Sequence, residues 1–586
     1  MRKPYLHTHF ASQITGRHNY IPMKFDSFAY QRPDVQKTTE TFQQHLSAFQ
    51  SASNFDEATQ AFEAINQLRT AVSTQWNICH IRHTIDTRDA FYADENTFFD
   101  QATPQFQGLD NQFYKALLKS PFRNELEDKW GAQLFKLAET SLATFKDGIQ
   151  EALQKENSLA SAYMKLKAGA QIPFRGKTYN LSNIQPLELD PDRNTRKEAS
   201  IAKWNFFDQK QQDIHDIFDQ LIQTRHNIAQ KLGFDNFIGL AYARLSRTDY
   251  DHRDIAKVRE AIVKYVVPVT NHLYAQQRER LQLDQLSFYD ESFRFTSGNP
   301  KPAGDATWIM KQAKKMYSEL SPETDTFFNH MEANGLMDLV AKDGKATGGY
   351  CTYISDYESP FIFSNFNGTS ADIDVLTHEA GHAFQVYSSR HWKIKEYQWP
   401  TMEACEIHSM SMEFLTWPWM HLFFEDDTPR QLFAHLSGAV MFLPYGAAID
   451  EFQHWIYENP EAKPEERSQQ WRKLEQKYLP HRNYEGYELL ENGNFWMRQS
   501  HVFSVPFYYI DYVLAQFGAF QFWLRSRRND PDTWTDYLKL CKAGGSQSFT
   551  ELLKTGNLKS PFDENNIREI MSGVADWLEQ SDTANF

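Results

Sequence analysis

Leu376-Thr377-His378-Glu379-Ala380-Gly381-His382-Ala383-Phe384-Gln385 is the stretch on which the reading of this chain turns. It is an HExxH run on a helix-favouring background. Two histidines four apart project from one helical face, so both imidazoles can reach a single metal ion. Glu379, next to the first of them, can then face a metal-activated water as general base. Val375, Leu376, Ala383 and Val386 are expected to bury the rest of the helix. The pattern predicts a zinc peptidase site, whereas a core helix with two buried, hydrogen-bonded histidines would be the plain structural alternative.

A second helix-like segment downstream strengthens the first reading. It runs Met402-Glu403-Ala404-Cys405-Glu406-Ile407-His408-Ser409-Met410-Ser411-Met412-Glu413-Phe414, after a turn-forming stretch containing Pro400. A hydrolytic Zn²⁺ site wants three protein ligands and an open fourth position, and His₂Glu is one such set. Glu403, Glu406, His408 and Glu413 all stand near enough in sequence to supply the third. Glu403, Glu406 and Glu413 share one helical face, so those that miss the metal can orient His378 or His382 by hydrogen bonding. A solvated charged stripe is the plain reading of Glu403. His408 points to another side of the helix and reads as structural.

HEAGHAFQ (378–385) followed by PTMEACEIHSMSMEF (400–414) resembles the M3 family of zinc metallopeptidases, and within it the oligoendopeptidase F branch. GGYCTYISDYESPFIFSNFNGTSADIDVLTHEAGH (348–382) and HVFSVPFYYIDYVLAQFGAFQFW (501–523) agree, and the likeness covers roughly residues 190–580. The resemblance implies that Glu406, opening the E-x₆-E pattern that Glu413 closes, is the third zinc ligand beside His378 and His382. It implies one Zn²⁺ per chain and a mainly α, two-lobed helical zincin with a small β-sheet beside the metal helix and a deep substrate channel. It also places a histidine and tyrosines of the 501–523 segment facing the zinc.

That segment carries His501, Tyr508, Tyr509, Asp511 and Tyr512. Water attack on a peptide carbonyl creates an oxyanion, and a fixed hydroxyl or imidazole N–H would help the metal to stabilise it. His501, Tyr508 and Tyr512 are the expected donors, with Tyr509 the alternative to Tyr508, and core packing the plain alternative for all. Residues 345–368 break the helical pattern. Gly348-Gly349-Tyr350-Cys351-Thr352-Tyr353-Ile354 and Pro360-Phe361-Ile362-Phe363-Ser364-Asn365-Phe366 read as two short strands leading into the metal helix. An edge strand there can pair with an extended peptide through main-chain hydrogen bonds, which makes Gly348, Gly349 and Tyr350 candidate substrate-binding residues.

Elsewhere helical signals dominate. Amphipathic runs fill residues 34–165, among them 56–72 and 130–153, and residues 172–179 read as a hairpin. Asp190-Pro191 is the expected cap of a new helix, with proline in its first turn. The boundary between an N-terminal helical lobe (1–188) and a catalytic domain (189–586) is placed there. Ser297-Gly298-Asn299-Pro300-Lys301-Pro302 is a loop before a further helical pair.

At 586 residues the chain exceeds one hydrophobic core. A net charge of −15 argues against nonspecific binding to nucleic acid or an anionic membrane. The four cysteines, Cys79, Cys351, Cys405 and Cys541, are scattered and suit a reducing cytoplasm. The start MRKPYLHTHFASQ lacks an apolar signal core, and no uninterrupted apolar run spans a bilayer. The expectation is therefore a cytoplasmic zinc endopeptidase that cuts internal bonds of short unstructured peptides, with Glu379 activating water against a zinc-polarised carbonyl. A non-catalytic peptide-binding or scaffold protein would not need Glu379. An exopeptidase would need a group that captures a free terminus, and no motif for one stands out.

Overall fold

The computed structural model describes residues 23–146, 148–342 and 344–581. The chain is mainly α-helical, as expected, with a two-stranded and a three-stranded sheet among the described residues. Five helices bear on the site: α1 (Phe55–Ile85), α2 (Ala371–Ser388), α3 (Met402–Leu415), α4 (Thr428–Glu458) and α5 (Tyr509–Arg527). The expected 172–179 hairpin is present as β1 (Ile172–Phe174) and β2 (Lys177–Tyr179). Arg175 and Gly176 turn it with φ of 45° and 78°.

The sheet beside the metal helix has three strands: β3 (Met337–Val340), β4 (Tyr350–Ile354) and β5 (Ser359–Phe366). β5 is central, antiparallel to β4 and parallel to β3. β3 escapes sequence reading because four residues carry no visible alternation. β4 is therefore an edge strand, but α1 covers part of it. Asn77 donates to the Tyr353 carbonyl at 3.1 Å and accepts from the Thr352 hydroxyl at 2.6 Å.

Two apolar cores are separable. The smaller gathers Phe42, Phe62, Ile65, Phe113, Leu117 and Leu134 from the first helices and is closed by Ile394 and Tyr397. The Tyr397 hydroxyl donates to the Trp130 carbonyl at 2.6 Å and accepts from the Leu134 amide at 3.0 Å. The larger core surrounds α2 to α5 with residues between Ile149 and Leu578, and it also takes in Phe25, Phe28 and, from the far end of α1, Ile78 and Ile81.

Several expectations need correction. The run 130–153 is not one helix: Gly131 and Gly148, both at φ 91°, break it into Ala132–Ala143 and the start of Gln150–Ala168. The helix after residue 190 starts at Arg193, and Asp192 caps it by accepting from the Thr195 amide. Asp190 and Pro191 lie ahead of the cap. Val375 is half-exposed, while Leu376, Ala383 and Val386 are buried as expected. One stretch, His421–Glu458, is long and apolar enough to cross a membrane by composition, and 67 % of its apolar window is buried within the fold as a core helix.

Candidate metal centre

α2 and α3 come together at Gly381. A Cβ there would lie 2.6 Å from Ser409 Cα and 2.7 Å from the His408 carbonyl oxygen, so only glycine permits this approach. The crossing brings Glu406 of α3 to the two histidines of α2. Glu406 Oε2 lies 3.2 Å from His378 Nε2 and 3.5 Å from His382 Nε2. One ligand atom from each of the three residues lies within 4.8 Å of the others. That spread suits tetrahedral binding of one zinc, whose bonds to nitrogen and oxygen are about 2.0–2.2 Å. Burial works to raise the Glu406 carboxyl pKa, but the charges of His382 and His378 hold it well below the usual range.

The residues around this triad fit a metal as well. His378 Nδ1 is 2.7 Å from Glu413 Oε1, which leaves Nε2 for the metal. Glu413 Oε2 is in turn 2.7 Å from His435 Nε2, and the Trp417 indole donates to His435 Nδ1 at 3.1 Å. Since the indole can only donate, His435 Nδ1 accepts and Nε2 carries the proton. Glu413 therefore receives a proton donor on each oxygen. Sequence reasoning anticipated Glu413 in this role but missed His435, one polar residue in an apolar helix 22 positions further on.

Glu379 points into the same space. It is buried, its Oε2 has no hydrogen-bond partner among the described residues, and a Cβ on Gly349 would lie 3.5 Å from its Oε1. Burial raises its carboxyl pKa, as suits a proton acceptor. Gly349 is thus the link between β4 and the reacting centre. Gly348, at φ 97°, has its carbonyl held by Asn365 Nδ2 at 2.8 Å. The Tyr350 side chain is committed elsewhere: it stacks on Phe363 and its hydroxyl is 2.7 Å from that of Thr84. Only its main chain remains for a substrate.

The tyrosine segment reaches the cluster from the other side. The Tyr508 hydroxyl donates to Glu406 Oε1 at 2.6 Å, and its ring lies 4.9 Å from that of Tyr512. Tyr509 instead packs against Phe442 and Tyr445. His501, Tyr509 and Tyr512 line a cleft of 520 Å³ together with His378 and Glu413. The turn before Tyr508 is strained, with Phe507 at φ 66°. It is clamped by Gln453, which accepts from the Phe507 amide at 2.9 Å, and by Arg247, which donates to the Phe507 carbonyl at 2.7 Å and to Asp511 at 2.5 Å. Glu403 is fully buried and belongs to this charge cluster, so it is neither a solvated stripe nor part of the triad. His408 is also fully buried, and burial pushes its imidazole down to about 3, consistent with a structural part.

Comparison with known proteins agrees with this geometry. The family models described as the peptidase M3 N-terminal domain and peptidase family M3 match residues 25–145 and 309–572. A solved structure of PZ peptidase A with an inhibitor is 56 % identical, with 95 % of this chain and all of that chain covered and a TM-score of 0.92. An oligoendopeptidase F homologue from Borreliella burgdorferi is 23 % identical over 67 % of this chain, a match spanning 65 % of that relative's length. One from Mycoplasma pneumoniae is 23 % identical, covering 71 % of this chain and 70 % of its own length. The chain belongs to peptidase family M3, the metallopeptidases of the oligoendopeptidase F branch.

Proposed function

We propose that this protein is a zinc-dependent endopeptidase that hydrolyses internal bonds of short, unstructured oligopeptides. The observation that carries the reading is the convergence of His378, His382 and Glu406 with an unpartnered Glu379 carboxylate beside them. Those three side chains would hold one zinc ion, which supplies Lewis acidity toward a carbonyl oxygen and lowers the pKa of water.

The chain's own groups account for the rest. Glu379 takes the proton of the attacking water and passes it to the leaving amine. Tyr508, Tyr512 and His501 offer N–H and O–H donors to the charge developing on the carbonyl oxygen. The main chain of Gly348, Gly349 and Tyr350, where the exposed Gly348 and Gly349 lead into β4, offers sequence-independent pairing to an extended peptide. A division of the chain into an N-terminal helical lobe (1–188) and a catalytic domain (189–586) belongs to the same reading. Its support is the separate small core of the first helices. A cytoplasmic location is likewise our proposal, supported by four cysteines that are all free thiols.

Digestion of a peptide mixture by the zinc-loaded protein, read by mass spectrometry, tests the reading. Internal cuts are expected, including in peptides blocked at both ends, with folded proteins left intact. Efficient digestion of a folded protein, or strict dependence on a free terminus, would sink it.

A further inference from the structure

Arg294 lies on the loop that precedes the Ser297–Pro302 turn, and its side chain lines the 520 Å³ cleft that also holds His378, His501 and Tyr512. Its place is well determined. The Arg294 amide donates to Asn299 Oδ1 at 2.9 Å, and Asn299 Nδ2 clips back to the Ser292 carbonyl at 2.9 Å. Nη1 donates to Ser437 Oγ at 2.8 Å and approaches Met441 Sδ at 3.6 Å, both on α4. Gly438, between them in sequence, leaves room for the guanidinium. A Cβ there would stand 3.1 Å from Nη2.

Among the described residues no carboxylate comes within ion-pair distance of Arg294, and its other N–H groups have no partner. The buried arginines, by contrast, are matched: Arg69 by Asp110 and Glu396, Arg225 by Glu156, Arg247 by Asp511. A second cation stands behind it. Arg280 donates from Nε to the Arg294 carbonyl at 2.7 Å and also has no carboxylate partner among the described residues. Burial, then the charge of Arg294, pushes the Arg280 guanidinium down to about 10. Arg294 is partly open to the cleft, and the one carboxylate whose charge acts on it, Asp374, lies beyond contact. A guanidinium so placed can take up an anion, and its forked donors match a carboxylate.

We propose that Arg294, backed by Arg280, is an anion-recognition residue of the substrate cleft that takes a carboxylate of the bound peptide. The carboxylate comes either from an acidic side chain near the scissile bond or from the peptide's own C-terminus. The proposal rests on the endopeptidase reading and deepens it, because it adds a preference to a site otherwise built for sequence-independent pairing. Asp374 lines the same cleft, and its charge acts on Arg294. It accepts from Gln431 Nε2 at 3.2 Å, and burial pushes its carboxyl up to about 6. A charged Asp374 opposes an incoming anion, so its removal should strengthen the preference.

The test uses the full zinc-loaded protein and one unstructured peptide in matched versions. Glutamate or glutamine is placed at successive positions around the cut, and each version is made as the free acid and as the C-terminal amide. A carboxylate at one defined distance from the cut should raise kcat/KM about tenfold or more, mainly through KM. The side chain is the source if the gain follows the glutamate, and the C-terminus if it follows the free acid. Arg294→Gln should bring the acid-to-neutral ratio close to one, Arg294→Lys should keep part of it, and Asp374→Asn should increase it. Zinc content and thermal midpoint check that each variant is folded, and Asp374→Asn keeps the test decisive should Arg294→Gln not fold. Equal cleavage of acidic and neutral versions by the unaltered protein overturns the proposal, as does an Arg294→Gln protein that keeps the preference or an Asp374→Asn protein that does not gain. Failure to cut any version would instead strike at the endopeptidase reading itself.

Discussion

The metal-bearing helix pair and the tyrosine segment face the same few ångströms of space but are built by opposite means. On α2 the two histidines are aligned by helical periodicity alone, and a single glycine, Gly381, sets how near α3 may come. On the tyrosine side nothing local determines where Tyr508 points. Its position depends on Phe507 being held at φ 66° by Gln453 and Arg247, residues 54 and 260 positions away. The first arrangement should tolerate distant change and fail abruptly when a ligand is altered. The second should fail by degrees.

The sharpest break is expected at Glu406. Replacing it with glutamine removes the one carboxylate shared between His378 Nε2 and His382 Nε2, and with it the third ligand. Zinc content should fall from about one per chain to near zero after dialysis against a mild chelator, with activity lost in parallel. Retained zinc in Glu406→Gln, with loss in Glu403→Gln or Glu413→Gln, would reassign the ligand. Glu379→Gln separates chemistry from binding on the same helix. The metal should stay, while kcat falls by about 10²–10⁴, the usual contribution of a general acid–base group. A near-normal kcat would remove Glu379 from the reaction.

Tyr508→Phe tests the other side. If its hydroxyl serves the developing oxyanion, kcat should drop by about 10²–10³ with KM and zinc content little changed. If its bond to Glu406 is what counts, zinc affinity should fall instead. Tyr512→Phe and Tyr509→Phe, measured alongside, should show a smaller loss for Tyr509, whose ring packs against Phe442 and Tyr445.

His435→Ala asks how far the metal-side order extends. Without it Glu413 loses one of its two donors, but His378 keeps the other. Zinc affinity should weaken by about 10–100-fold, as expected for a group that orients a ligand from behind. His435→Gln, which can still donate, should recover part of that. Unchanged zinc affinity in both variants would confine the relay to packing.

The same contrast explains what could be read from sequence. His378, Glu379 and His382 are a period of four on one helix, so they were legible from spacing alone. The short connection narrowed the third ligand to Glu403, Glu406, His408 or Glu413, and the family resemblance singled out Glu406. So were β4 and β5, whose β-branched and aromatic runs are bounded by turn residues. The helix break at Gly131 and the Asp192 cap depend on backbone torsions that composition only hints at. His435, Arg294 and the Arg247 clamp act across long sequence separations, and a lone polar residue in a loop or an apolar helix gives no sign of the partner it will meet.

His501 offers the smallest effect, and one whose sign can be worked out. Its Nδ1 lies 2.7 Å from Gln499 Nε2, an amide donor, so Nδ1 accepts and the proton resides on Nε2. Burial, then the charge of Lys167, pushes the imidazole down to about 4, against about 6.5 when free. Between pH 5 and 8 the ring is therefore a neutral donor, and it cannot be the source of an acid limb in the activity profile. His501→Gln should lower kcat without moving that limb. Stability should respond in the opposite compartment of the same equilibrium. The folded pKa is depressed, so the unfolded chain binds a proton that the native ring refuses. The native state accordingly loses stability as pH falls from about 6.5 toward 4, by no more than one proton's worth of slope. Denaturant midpoints at pH 7, 5.5 and 4.5 should fall more steeply in the unaltered protein than in His501→Gln. His215, His330 and His481, each pushed to about 4 with burial the largest cause, contribute equally to both proteins and cancel in the difference. Equal slopes would mean that His501 is protonated in the native cleft, and a charged imidazolium would then replace the neutral donor assigned here.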